Sequence, residues 1–301
     1  MKNIHFISIK DEENISLAMA LQNIDYNITV SDDYVSENLK DNLTENGLII
    51  QNGWFPNKVT QNIDVIILGS NVEKQNSELI KAKSLGIKIL SFSEFIYEFS
   101  ENKTRIVVKG TRGKSSIILI IIHVLKYLDF SVDLIVNKEI GIFKSLISLS
   151  KENDFIIIEW TENKFYEPKS SIKNNFFNPH LALIAPFISD YQKFRPSHLS
   201  EKSQCSLFIE SIFPGGIVLY DKSDYKTEDL VKRSKNSIRK ESYSVPESIV
   251  LKGQIHLKTE YGNFPIRQKD KYELINIGAA LWLCQLLGVD HFDFHEAIIS
   301  Y

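Results

Sequence analysis

The chain has 301 residues, of which 43% are hydrophobic and 24% charged, and its formal net charge is −3. That is the balance of an ordinary globular protein long enough for two domains, and it supplies no electrostatic reason to expect nucleic acid or an anionic membrane as a partner. The two cysteines, Cys205 and Cys284, lack metal-ligand spacing and suggest no disulfide framework, so a reducing, cytoplasmic location is expected.

Ile4 to Ile9 reads as a short apolar strand that follows Met1-Lys2-Asn3 directly, with no signal peptide evident. Ser16 to Asn23 reads as a helix and Tyr26 to Val30 as a second strand, giving a βαβ unit. A nucleotide-binding unit of this kind wants glycine in its first turn. Here the turn is Lys10-Asp11-Glu12-Glu13, whose three carboxylates would repel a phosphate. Gly47 to Gln51 is strand-like, Asp64 to Leu68 is a buried strand, and Asn76 to Leu85 is a helix stopped by Gly86. Ile87 to Leu90 and Ser93 to Phe99 add a strand and a helix. This alternation predicts a parallel sheet, and the polar Glu101-Asn102-Lys103 marks a boundary between domains 1–102 and 103–301.

The second domain opens on Ile106-Val107-Val108-Lys109-Gly110-Thr111-Arg112-Gly113-Lys114-Ser115-Ser116, followed by the apolar run Ile117 to Leu128. Strand, glycine turn and helix in this order form a phosphate-binding loop. Glycine lets backbone N–H groups close on phosphate oxygens, Lys114 can reach terminal phosphates, and the Ser115 hydroxyl is placed to ligate Mg²⁺. A full Walker pattern would have glycine at Val108, so the motif is a shortened G-x-x-G-K-S. The run Ile117 to Leu125 contains His123 and is too short to span a bilayer. Val132 to Val136, Phe155 to Ile158, Leu181 to Ala185 and Ile217 to Tyr220 read as further strands, and Ser200 to Ile212 as a helix. Ser223 to Ser244 reads as a polar connection, and Ile249 to Leu257 with Gly262 to Ile266 as a β-hairpin. Leu274 to Leu287 is an apolar helix closed by Gly288, and a last helix starts at Phe292.

The order of these pieces resembles the Mur ligase family, and within it the muramate branch of UDP-N-acetylmuramate–alanine ligase and murein peptide ligase. The anchors are Ile4-His5-Phe6-Ile7, Val30-Ser31-Asp32-Asp33, Gly53-Trp54-Phe55-Pro56, Val65-Ile66 with Leu68-Gly69, and Ser91-Phe92-Ser93-Glu94-Phe95. The second half adds the loop Gly110 to Ser115, Asp154 to Glu159, Asn178 to Ala182, Pro214-Gly215-Gly216, and Asn276-x-x-Ala279-Ala280. The resemblance implies a Rossmann-like parallel-sheet N-terminal domain for the UDP substrate, followed by a P-loop-type α/β central domain for ATP. It implies ATP-dependent amide ligation of UDP-N-acetylmuramate to an amino acid or peptide through an acyl phosphate, in peptidoglycan synthesis or recycling. Carried over by motif, the nucleotide is held by Gly110, Thr111, Arg112, Gly113, Lys114, Ser115 and Ser116, and its base by Asn276. Ser115 and Glu159 hold Mg²⁺, with Lys114 and Glu159 in the catalytic roles.

Departures from the family pattern concentrate on the chemistry. The first-domain glycine loop is replaced at Ile9 to Glu12, and the Gly-Asp-Glu that follows the metal glutamate is Trp160-Thr161-Glu162. The Asp-His pair is Asp190-Tyr191, the His-Asn before Asn276 is Tyr272-Glu273, and Arg112 replaces a histidine. Members of the family carry a third domain after the last helix, where this chain stops at Tyr301. The expectation is therefore impaired ligation by the chain alone, with a separately encoded third domain as partner. The alternatives are a non-catalytic binding or scaffold relative, or a decaying truncated enzyme.

Overall fold

A computed structural model of the chain describes residues 2–138, 145–160, 177–186, 201–267 and 270–301. The chain divides into two compact units, Met1–Asn102 with Ser145–Asn153, and Lys103–Lys144 with Asp154–Tyr301.

In the first unit β1 (Asn3–Ile7), β2 (Asn27–Ser31), β3 (Val65–Leu68) and β4 (Lys88–Ser91) form a parallel sheet in the order β2-β1-β3-β4. Helices α1 (Glu12–Gln22), α2 (Glu37–Glu45), α3 (Ser77–Ser84) and α4 (Phe92–Phe99) connect or follow the strands. The sheet is Rossmann-like because β1, flanked on both sides, is buried along almost its whole length. Asn76 caps α3 through the Leu79 N–H, and Ser91 with Glu94 closes a capping box on α4. Gly47 to Gln51 is not a strand: only an isolated bridge from Asp32 to Asn52 and Gly53 forms nearby. Its apolar residues are spent differently, with Leu48 buried and Ile49 exposed. The sequence places 145–153 in the second domain, whereas this segment packs with the first unit. Its short strand β5 (Ile147–Ser148) lies against α1, and Lys151 Nζ sits 5.3 Å from the Tyr26 ring centroid.

A network of buried polar groups underlies this sheet. Glu78, fully buried on α3, accepts hydrogen bonds from His5 Nε2 at 3.3 Å, from the Ser31 hydroxyl, and from the Phe55 N–H at 2.7 Å. Burial pushes its carboxyl up, but these donors outweigh burial and hold the pKa below the ordinary value.

Among the described residues, the second unit holds a parallel run of six strands. In chain order these are β6 (Thr104–Lys109), β7 (Asp133–Ile135), β8 (Phe155–Glu159), β9 (Leu181–Ile184), β10 (Ile217–Asp221) and β11 (Arg239–Tyr243). Across the sheet they run β11-β10-β9-β6-β8-β7. The helices among the described residues are α5 (Lys114–Tyr127), α6 (Glu201–Glu210), α7 (Tyr225–Arg233), α8 (Lys271–Leu286) and α9 (His291–Ile299). Apolar almost all round, α5 buries Ile117, Ile118, Ile120, Ile121, Ile122, Val124 and Leu125. A helix of that kind needs cover on more than one face, and the sheet and α8 provide it. Ser223 to Ser244 is more than a connection, since it holds α7 and β11. Its amphipathic helix is short and highly charged, with Thr227 and Val231 buried, so polarity concealed it. The expected hairpin is a three-stranded antiparallel meander, β12 (Ser248–Leu251), β13 (Gln254–Thr259) and β14 (Gly262–Pro265). A turn at Lys252-Gly253, both with positive φ, splits the first strand in two.

Two histidines, His295 buried and His180 half-buried, make this unit sensitive to acid. His180 Nδ1 accepts the Arg105 N–H at 3.0 Å, and His295 Nδ1 donates to the His291 carbonyl at 2.6 Å. Burial lowers both pKa values below 6.5, helped at His180 by the Arg105 charge. Protons therefore bind the unfolded chain first as pH falls below 6.5, and stability is lost from there down to the folded pKa values. A lower denaturant midpoint at pH 5.5 than at pH 7.5 is expected in urea titrations, with a smaller difference in His180→Asn.

Candidate functional site

The strand order decides where a ligand can sit. β6 lies between β8 and β9, so the chain leaves its C-terminal end where the sheet's connectivity reverses direction. In open α/β sheets this switch point opens a crevice, and Gly110 to Ser116 occupies it.

The loop needs its glycines. Gly110 has φ of +147°, and a Cβ there would stand 2.5 Å from the Ala185 carbonyl oxygen. Gly113 has φ of +86°, and a Cβ would meet Asn276 Oδ1 at 2.6 Å. Gly113 is the N-cap of α5 and offers no side chain to the helix, leaving its first N–H groups for an external acceptor. The Thr111 hydroxyl and the Arg112 N–H both donate to the Pro186 carbonyl, at 3.3 and 3.4 Å, lacing the loop to the end of β9. Lys114 Nζ folds back to donate to the Gly110 carbonyl at 2.5 Å.

Ser115 Oγ donates to Glu159 Oε1 at 2.7 Å, and Glu159 is only 3% exposed. Its second oxygen accepts the Asn137 N–H at 3.2 Å, while Asn137 Nδ2 donates to the Glu159 carbonyl at 3.1 Å. A hydroxyl and a buried carboxylate in contact at the mouth of a phosphate loop form a hard oxygen donor pair that fits Mg²⁺. This ion is commonly held by one or two protein oxygens, with phosphates and water completing its shell. Among the described residues no group of three or more His, Cys, Asp or Glu could hold a metal by itself.

Beside the loop lies a cleft of about 210 Å³ lined by Arg112, Gly113, Ser116, Asp270, Tyr272 and Asn276. The Arg112 guanidinium stacks 4.7 Å from the Tyr272 ring centroid. The fold thus brings Gly110 to Ser116, Glu159 and Asn276 into one place. Trp160 is buried, with Lys109 Nζ 3.4 Å from its ring centroid. Thr161, Glu162, Asp190 and Tyr191 lie outside the described residues. The sequence reading passes over Asn137 and Pro186. Both follow the ends of strands that become neighbours of Glu159 and of the loop only through sheet pairing, so no local motif marks them.

The first unit's turn is arranged very differently. Ser8 takes φ of +67°, a conformation that disfavours side chains. Asp11 accepts from the Ser70 N–H and hydroxyl, and the Lys10 ammonium reaches Asp33 at 3.0 Å and the buried Asp32 at 3.4 Å. Burial raises the Asp32 pKa. Asp33 is held down at about 2, first by its hydrogen bond with Asp32 and then by Lys10. The turn's polar groups are already engaged with one another.

Fold and site define a two-unit α/β protein of the phosphate-loop class. Among sequence families, the BRCA1 C Terminus (BRCT) domain matches residues 19–99. That match starts inside α1 and leaves out β1, the strand that pairs with both β2 and β3. Curated relatives extend much further. The UDP-N-acetylmuramate–L-alanine ligase of Dictyoglomus turgidum is 24% identical over 304 residues, covering 96% of this chain and 62% of the relative. That of Buchnera aphidicola subsp. Baizongia pistaciae is 34% identical over 166 residues, covering 54% of this chain and 33% of the relative. The chain thus spans between a third and three fifths of the length of these relatives. The crystal structure of the UDP-N-acetylmuramate:L-alanyl-gamma-D-glutamyl-meso-diaminopimelate ligase from Neisseria meningitides superposes with a TM-score of 0.77 at 16% identity, covering 100% of this chain and 98% of that one. This last likeness is one of fold. The chain belongs to the Mur ligase family. Among its described residues no helix is long and apolar enough to cross a membrane.

Proposed function

We propose that the second unit binds ATP with Mg²⁺ at the Gly110–Ser116 loop, as the nucleotide half of an acid–amino-acid ligase of peptidoglycan synthesis or recycling. The observation that carries this reading is the contact between the Ser115 hydroxyl and the buried Glu159 carboxylate, beside a glycine loop at the switch point. In the reaction proposed, a carboxylate of a UDP-N-acetylmuramate-type substrate is phosphorylated by ATP, and an amine then displaces phosphate to form the amide. Lys114 would leave the Gly110 carbonyl to hold the terminal phosphates. The uncapped first turn of α5 would add N–H donors where negative charge accumulates. Mg²⁺, held by Ser115 and Glu159, would neutralise charge on the transferring group. Asn276, against Gly113, would orient the base.

The expected result in calorimetry is Mg²⁺-dependent ATP binding by the wild-type chain, lowered about 100-fold or more in Lys114→Ala at unchanged melting temperature, since a charged hydrogen-bond donor aimed at phosphate is lost. No binding by the wild type, or equal binding by the variant, would sink the proposal. A second reading, nucleotide binding without ligation, is favoured by one observation: the first unit's turn is closed by Lys10, Asp32, Asp33 and Asp11. ATP binding without UDP-N-acetylmuramate binding would select it.

A further inference from the structure

We infer that Asn137 is a positioning residue, locking Glu159 in the orientation that shares a divalent cation with Ser115. The inference rests on the proposed Mg²⁺ role of Ser115 and Glu159 and deepens it.

The geometry is a two-point latch. β7 pairs with β8 in parallel, with Ile135 opposite Ile158, so the chain leaving β7 passes beside Glu159. Leu134, Ile135 and Val136 are buried, and Asn137 is the first polar residue after them. Its main-chain N–H holds Glu159 Oε2, and its side-chain amide holds the Glu159 main-chain carbonyl. Both ends of the glutamate are thereby tied to one neighbouring residue. Oε1, the oxygen facing Ser115, is outside this latch.

That division has a consequence for cation binding. A cation entering between Ser115 and Glu159 takes lone pairs from Ser115 Oγ and Glu159 Oε1 and displaces the hydrogen bond between them. Oε2 can keep the Asn137 N–H throughout, so the carboxylate need not search its rotamers when the cation arrives. Hydrogen bonds that orient metal ligands from outside the coordination shell typically change metal affinity by 10–100-fold when lost. Asn137→Ala removes the side-chain half of the latch and leaves the N–H, so the lower end of that range applies.

The test measures ATP binding to the full chain by calorimetry across a Mg²⁺ titration and in EDTA, for wild type and Asn137→Ala, alongside thermal melting. The expected result is a Mg²⁺ midpoint raised about 10-fold in the variant, with affinity for ATP in EDTA within about twofold of wild type. A merely structural role would lower affinity equally with and without Mg²⁺, and that outcome overturns the inference. So does an unchanged midpoint in a variant that folds. If the wild type shows no ATP binding at all, the proposed function falls and this inference with it. Mg²⁺-dependent wild-type binding with an unaffected variant removes the inference alone.

Discussion

Glu78→Ala is expected to destabilise the first unit by about 3–5 kcal/mol, the range for breaking a buried charged cluster by removing one partner. The carboxylate is fully buried and is the common acceptor for His5, Ser31 and the Phe55 N–H. Alanine leaves those groups without it, together with a cavity in the space between α3 and the sheet. The Phe55 contact also anchors the Gly53-Trp54-Phe55-Pro56 segment, so this segment should loosen before the sheet does. Urea unfolding followed by hydrogen exchange at Phe55 would check both effects, and a loss below about 1 kcal/mol would count against the network. The glutamate's lowered pKa sets the pH dependence: its contribution is present above the ordinary value of 4.5 and is lost as pH falls through the folded value. ATP binding should be unchanged, because the candidate nucleotide site draws only on second-unit residues.

Gly278→Ala should couple stability to the site. Gly278 lies within α8, where an added Cβ would stand 2.2 Å from the Ser244 carbonyl oxygen and 3.4 Å from Pro246 Cδ. Backbone stands on one side and a rigid proline ring on the other, so α8 must move. Overpacking of this kind costs about 1–3 kcal/mol or somewhat more, against a gain of roughly 1 kcal/mol in helix propensity. A net loss of about 2 kcal/mol is expected by denaturant titration. Because Asn276 is carried two residues earlier on the same helix and abuts Gly113, ATP affinity should fall several-fold as well. Stability lost without any change in ATP affinity would show that Asn276 does not contribute to the nucleotide site.

Much of the candidate site was readable along the chain because a phosphate loop is a local object. Strand, two glycines, Lys114, Ser115 and an apolar helix follow one another within about twenty residues, and their backbone requirements are written in residue types. The βαβ alternation and the ordered family anchors were legible for the same reason, since each strand's apolar run reports its own burial. The readings that failed were short segments whose pattern fits two structures. Gly47 to Gln51 is apolar without being paired, and Ser223 to Ser244 is polar yet contains a helix and a strand.

Other features exist only in three dimensions. Parallel pairing of β7 with β8 brings Asn137 to Glu159 across 22 residues of sequence, and α8 delivers Asn276 to Gly113 from the far end of the unit. The strip 145–153 returns to the first unit although it lies inside the sequence of the second. The closed first turn likewise depends on Asp32, Asp33 and Ser70 meeting Lys10 and Asp11. Along the chain, local periodicity and backbone freedom fix the α/β class and the loop, and the ordered motifs carry the family resemblance. Tertiary structure decided which side chains support Glu159 and which seal the first turn, because a sheet's strand order, unlike its strands, is set by packing of the whole chain.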